Sequence, residues 1–125
     1  VQLEIPIWDN KKSQLKQQEW KAQLEATEAN YEWTKNAFDL QLESEIENLR
    51  SDIALYNSFT DLLKTNERFY QETVRRYKEG LSNYIELLDA RTEVTSTQLE
   101  QNLAKYQSWI RHVNIERMAA SAPIK

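Results

Sequence analysis

The chain has 125 residues, enough for one domain, of which 40% are hydrophobic and 29% charged, with a net charge of −4. Lys and Arg are interspersed among Asp and Glu, so no basic stripe is available to neutralise a phosphate backbone, and nucleic acid is excluded as a partner. A single Gly, two Pro and no Cys rule out disulfide and thiolate chemistry and describe long helices or coiled coil.

The opening VQLEIPIW alternates, with Val1, Leu3, Ile5 and Ile7 on one side and Gln2, Glu4 and Trp8 on the other. That is the two-residue period of a strand, and Pro6 confines it to an edge or a strand end. Residues 1–8 are therefore expected to be a strand-like segment, the start of something cut from a longer polypeptide. No stretch of roughly 18 apolar residues is present, so a membrane role is expected to come through assembly or through residues outside this stretch. Asp9 or Asn10 offers a side-chain oxygen to cap a helix beginning near Lys11.

From Lys11 to Glu79 there is neither Gly nor Pro. A continuous helix over 9–79 would span roughly 100 Å, several times the usual globular length. Its clearest seam runs Leu42, Ile46, Leu49, Ile53, Tyr56, Thr60, Leu63, Glu67, Tyr70, Val74, Tyr77, in alternating steps of four and three. That is heptad spacing.

Gly80, the only glycine, suits the C′ position of a helix ending in a left-handed residue. Residues 80–83 are read as a turn. Asn83, followed three residues later by Glu86, resembles a capping box for a second helix over 84–119, with 120–125 as a tail. The seam of that helix reads Tyr84, Leu88, Thr92, Thr95, Leu99, Leu103, Tyr106, Ile110, Val113 and then Arg117/Met118. Folding back at 80–83 matches Val74 with Leu88, Leu63 with Leu99, Tyr56 with Tyr106, Ile53 with Ile110, Leu49 with Val113 and Ile46 with Met118. The expected fold is all-α, a long antiparallel coiled-coil helical hairpin with a short N-terminal strand-like segment. Residues 11–45 find no partner in it, yet carry Leu15, Trp20, Leu24, Tyr31, Trp33, Ala37, Phe38 and Leu40. Other copies or other parts of the same polypeptide are expected to cover them.

Enzyme chemistry finds no foothold. His112 has only Glu116 as a possible co-ligand at helical spacing, so no metal site is expected. There is no phosphate loop and no nucleophile elbow, and no cofactor is implied. Trp20, Tyr31 and Trp33 are read as helix-packing aromatics. Glu67, Thr92 and Thr95 put polar groups in the seams, where they fix register or face water in a wider assembly.

The run Tyr77-x-x-Gly80 followed by Ile85-Glu86-Leu87-Leu88-Asp89-Ala90 resembles the Y-x-x-G…D-V-L-D-A signature of TolC-like outer-membrane efflux proteins. IPIW ahead of a very long helix, and a shorter return helix ending in small residues, agree with it. The resemblance covers nearly the whole chain and implies the later part of one of two repeats. In that family a barrel strand passes through a Pro junction into a long periplasmic helix, and three protomers form a barrel continuous with an α-helical tunnel.

The resemblance further implies that Gly80, Leu81, Ser82 and Asn83 form a tip that docks on a periplasmic adaptor (membrane fusion) protein, with an inner-membrane pump acting indirectly. Glu86 and Asp89 match the acidic pair near the tunnel entrance. Two departures stand out. Ser82 lies where some relatives carry an Arg that pairs with those acids, and Met118-Ala119-Ala120-Ser121 replaces the usual terminal Gly. The duct reading implies the periplasmic portion of an outer-membrane homo-trimer in a Gram-negative bacterium and a passive conduit, with self-association of this stretch when isolated. The alternative is a soluble, oligomeric coiled-coil scaffold with no transport role.

Overall fold

The computed structural model describes residues 5–122, with side chains described from Asn10 onward. Two helices carry the fold: α1, Ile5–Lys78, 74 residues, and α2, Tyr84–Ala120, 37 residues. They pack antiparallel as a helical hairpin.

Helix α1 begins earlier than its first side-chain cap suggests. Of the strand-like alternation over 1–8, Val1–Glu4 lie outside the described residues, and Ile5–Trp8 lie within α1. Pro6 is compatible with this because the first-turn N–H groups of a helix have no intrahelical acceptor, so a residue without one loses nothing there.

The end of α1 is a Schellman motif built on Gly80. Its φ is +74°, the only positive φ among the described residues. Gly80 N donates to Tyr77 O at 3.0 Å, and Leu81 N donates to Arg76 O at 2.8 Å. These two bonds satisfy carbonyls that the terminated helix leaves open. Helix α2 then starts from Asn83, whose Oδ1 accepts from Glu86 N at 2.8 Å. The return arm of the expected capping box goes elsewhere: the Ser82 hydroxyl donates to the Glu86 carboxylate. At the far end Ser121 N reaches Arg117 O and Met118 O, closing the last turn.

Residues 5–41, taken by themselves, are helical, and every side chain from Asn10 to Ala37 is exposed. Trp20 and Trp33 are each 71% exposed. Residues 42–122 form the hairpin proper. Leu42, Leu49, Tyr56, Leu63 and Tyr70 are half-buried and make one row of its α1 seam. The second row is not the expected Ile46, Ile53, Thr60, Glu67, Val74. It is Glu45, Asp52, Phe59, Asn66, Thr73, one residue earlier in each heptad. Val74 and Thr60 remain half-buried at its margin.

The correction on α2 is larger. Its buried and half-buried rows are Leu87, Val94, Gln101, Ser108 and Ala90, Thr97, Ala104, Arg111. The apolar residues expected in the core, Leu88, Leu99, Leu103, Tyr106, Ile110 and Val113, are all exposed, as are Ile46 and Ile53 on α1. The face that meets α1 is the one whose polar side chains can bond across the two helices. Asn66 Nδ2 donates to Thr97 Oγ1 at 2.9 Å, Gln101 Nε2 to Thr60 Oγ1 at 2.8 Å, and Arg111 Nε to Asp52 Oδ2 at 2.6 Å. On the face that makes these pairs, small residues meet α1. Thr73, Ala90, Thr97 and Ala104 are the fully buried side chains, at 2–3% exposure. Thr73 is satisfied within its own helix, its hydroxyl donating to Phe69 O at 2.9 Å.

The turn yields a direct test. A Cβ built on Gly80 meets nothing within 4 Å, so the cost of adding one is conformational alone. Replacing Gly80 by Ala is expected to lower stability by about 1–2 kcal/mol, and Gly80→Asn by less, because Asn tolerates the left-handed region. Urea denaturation followed by circular dichroism reads both; equal losses for the two variants would contradict a purely conformational cost.

Candidate functional site

Two places on the hairpin concentrate polar and exposed groups: the tip, and a polar row running away from it. At the tip, Gly80 and Leu81 follow directly on α1, and Leu81 is 66% exposed. Its backbone is nevertheless fixed. The Leu81 N–H is held by Arg76 O, and the Leu81 carbonyl accepts from Arg76 Nη2 at 3.4 Å. Ser82 is half-buried while Asn83 is exposed, and both side chains are committed to the first turn of α2, Ser82 through the Glu86 carboxylate and Asn83 through Glu86 N. Tyr77 and Tyr84 flank the turn from its two sides, ring centroids 6.4 Å apart at an interplanar angle of 57°. A tilted aromatic pair at that separation is attractive and braces the junction. Tyr84 and Ile85 remain mostly exposed beside Leu81. The tip is thus a preset apolar knob.

Glu86 and Asp89, three residues apart in the first two turns of α2, are both exposed. Glu86 sits in the first turn, where a carboxylate is favoured by the helix dipole. It is not free of neighbours, because Ser82 binds it.

The second place was missed by a search for apolar heptads. Arg111 bridges two carboxylates on α1 that lie one heptad apart, Nε to Asp52 Oδ2 at 2.6 Å and Nη1 to Glu45 Oε2 at 2.8 Å. All three side chains are half-buried, Asp52 most deeply at 18% exposure. The hydrogen bonds it donates to Asp52 and then to Glu45 hold the Arg111 guanidinium above the ordinary arginine range. The signal for it was in the sequence as a polar heptad row, Glu45, Asp52, Asn66 and Thr73 interrupted only by Phe59, on α1. His112 pairs with Glu116, at 3.3 Å and in the open. Among the described residues no group of acidic, His or Cys side chains could hold a metal ion.

A smooth helical hairpin with an exposed leucine at a glycine-fixed tip is the frame on which the family comparison falls. The family model for outer membrane efflux proteins matches residues 1–121. The chain belongs to that family. No individual curated protein and no solved structure matches it. Membership gives the efflux protein a general role in an outer-membrane export duct, and its family consists of transport conduits rather than enzymes. Among the described residues no helix is long and apolar enough to cross a membrane.

The sign of the Arg111 shift sets a pH expectation. A cation whose folded pKa is raised contributes stability that is complete below its unfolded pKa and is lost only as pH rises through the folded one. The unfolded value is that of an ordinary arginine, already well above neutral pH. The stability gap between the parent chain and Arg111→Ala is therefore expected to show no Arg111 titration between about pH 7 and 10. Arg111→Lys should recover only part of it, since an ammonium cannot reach both carboxylates with the planar fork. Thermal melts across that pH range check both statements.

Proposed function

We propose that this efflux protein segment is the periplasmic helical-tunnel part of an outer-membrane duct, and that it docks through its hairpin tip on a periplasmic adaptor protein. The observation that carries the reading is Leu81, exposed on a turn whose backbone is already fixed by Gly80 and the Arg76 bonds. A preset apolar point loses little entropy on binding, and repetition around a ring multiplies a small contact. Gly80, Leu81, Ser82 and Asn83 form the docking element: Gly80 sets the reversal, Leu81 inserts, and Ser82 and Asn83 hold the start of α2 in place.

In this reading the working unit is a homo-trimer and its mechanism is passive. The duct supplies a water-filled path, and an inner-membrane pump supplies energy through the adaptor. Glu86 and Asp89 stand near the tunnel entrance. Three-fold repetition would make rings of carboxylates that favour cations over anions. Ser82 tethers Glu86, so Asp89 is the freer member of the pair. The protein performs no catalysis and takes no cofactor.

Cross-linking tests the docking element. Cysteine in place of Leu81 or Ser82 in the parent protein, in cells whose adaptor carries cysteine at its hairpin tip, should give a specific cross-link that a mid-helix Asp61→Cys control does not. Normal expression with no cross-link at either tip position would remove the docking role.

The isolated chain is expected to self-associate. Leu15, Trp20, Leu24, Trp33 and Leu40 are all at least 60% exposed, and each large apolar side chain buried stabilises by about 1.5–3 kcal/mol. Light scattering at micromolar concentration should report more than one copy, and a monomer would contradict it.

A further inference from the structure

Helix α2 offers α1 two competing faces. One is apolar, carrying Leu88, Leu99, Leu103, Tyr106, Ile110 and Val113 at heptad spacing. The other is smaller and more polar, carrying Ala90, Thr97, Gln101, Ala104 and Arg111 beside Leu87 and Val94. By apolar content alone the first should pair with α1, yet it points outward and the second is buried. We propose that the cross-helix polar ladder, Asn66–Thr97, Thr60–Gln101 and Asp52/Glu45–Arg111, selects which face of α2 meets α1 and so holds the apolar face outward.

Three features of the geometry support this. The ladder occupies the middle of α2, from Thr97 to Arg111, with Arg111 far from the turn and Asn66–Thr97 nearer to it. A short turn alone fixes register near the tip but leaves the distant part of α2 free to rotate about its axis. Each rung uses a donor and an acceptor on opposite helices, and a rotation of α2 by one residue position, about 100°, would separate all of them together. Finally, the chosen face buries small side chains beside the rungs, Ala90 on the turn side of Thr97 and Ala104 between Gln101 and Arg111, each 2% exposed, and small side chains let two helices approach closely. A polar group at a coiled-coil core position is known to specify one geometry at a cost in stability. Here the geometry specified is the rotation of one helix against the other.

The chain has no cysteine, so a single introduced thiol reports its own surroundings. Leu103 is 53% exposed and its neighbour Ala104 is 2% exposed. In the chain as it stands, diluted until it is monomeric, Leu103→Cys should react with a maleimide faster than Ala104→Cys. Five alanines at Thr60, Asn66, Thr97, Gln101 and Arg111 remove every rung while keeping good helix formers throughout. In that background the order should reverse, Ala104→Cys becoming the faster. An unchanged order would overturn the proposal. Fast reaction at both positions would also overturn it, because the ladder would then hold the helices together without choosing a face. Should the five-alanine chain lose its helical circular dichroism, the milder pair Asn66→Ala with Thr97→Ala serves instead. It should bring the two rates closer together, and an unaltered ratio would count against the ladder. None of these outcomes depends on adaptor docking.

Discussion

One residue with a left-handed backbone turns this chain around. Gly80 at φ +74° lets α1 stop and the next residues reverse direction without a Cβ in the way. Everything beyond it is counted from that point. Residues at matched distances from the turn become neighbours, so Asn66 meets Thr97 and Asp52 meets Arg111. Moving the turn by one position would change which residues of α2 lie level with Asn66 and Asp52. The exposed Leu81, the Tyr77–Tyr84 brace and the Asn83 cap all inherit their places from the same reversal.

The seam so formed is unusual in what it leaves out. A neutral hydrogen bond contributes a net ~0.5–1.5 kcal/mol, whereas burying one large apolar side chain contributes ~1.5–3 kcal/mol. Nine large apolar residues of α2, Leu99 and Leu103 among them, are exposed, so two helices alone do not realise the burial that this sequence offers. The polar pairing and the exposed apolar row make sense together as two faces with separate duties. One joins the hairpin, and the other is left for whatever else surrounds it in an export duct.

The hairpin itself was legible because its determinants are local. A lone Gly between long Gly-free and Pro-free stretches, a side-chain cap three residues before a Glu, and heptad spacing are enough to place two antiparallel helices and the turn between them. The tip residues followed from the same signals. The inter-helix face was less legible for a physical reason. Heptad counting rewards Leu, Ile and Val, and α2 carries them on the face that turns outward. A row such as Glu45, Asp52, Asn66 reads as solvated surface until its partners, Arg111 and Thr97, are known to lie opposite. Pairing of that kind depends on two segments at once, which a scan along one helix cannot weigh. The start of α1 was misjudged on smaller grounds: Pro6 reads as a strand breaker, yet the first turn of a helix accommodates it as readily.

The threonines on the outward face of α2 deserve a last word on water. Thr92 Oγ1 donates to Leu88 O at 2.9 Å, and Thr95 Oγ1 donates to Arg91 O at 3.0 Å. Each hydroxyl proton is therefore placed within its own helix. When a neighbouring surface dries this face, neither hydroxyl proton loses a bond to solvent that must be replaced from the other side. Leu88, Thr92, Thr95 and Leu99 can act as a continuous dehydratable strip, in which the threonines ask for no acceptor from the sequence that covers them.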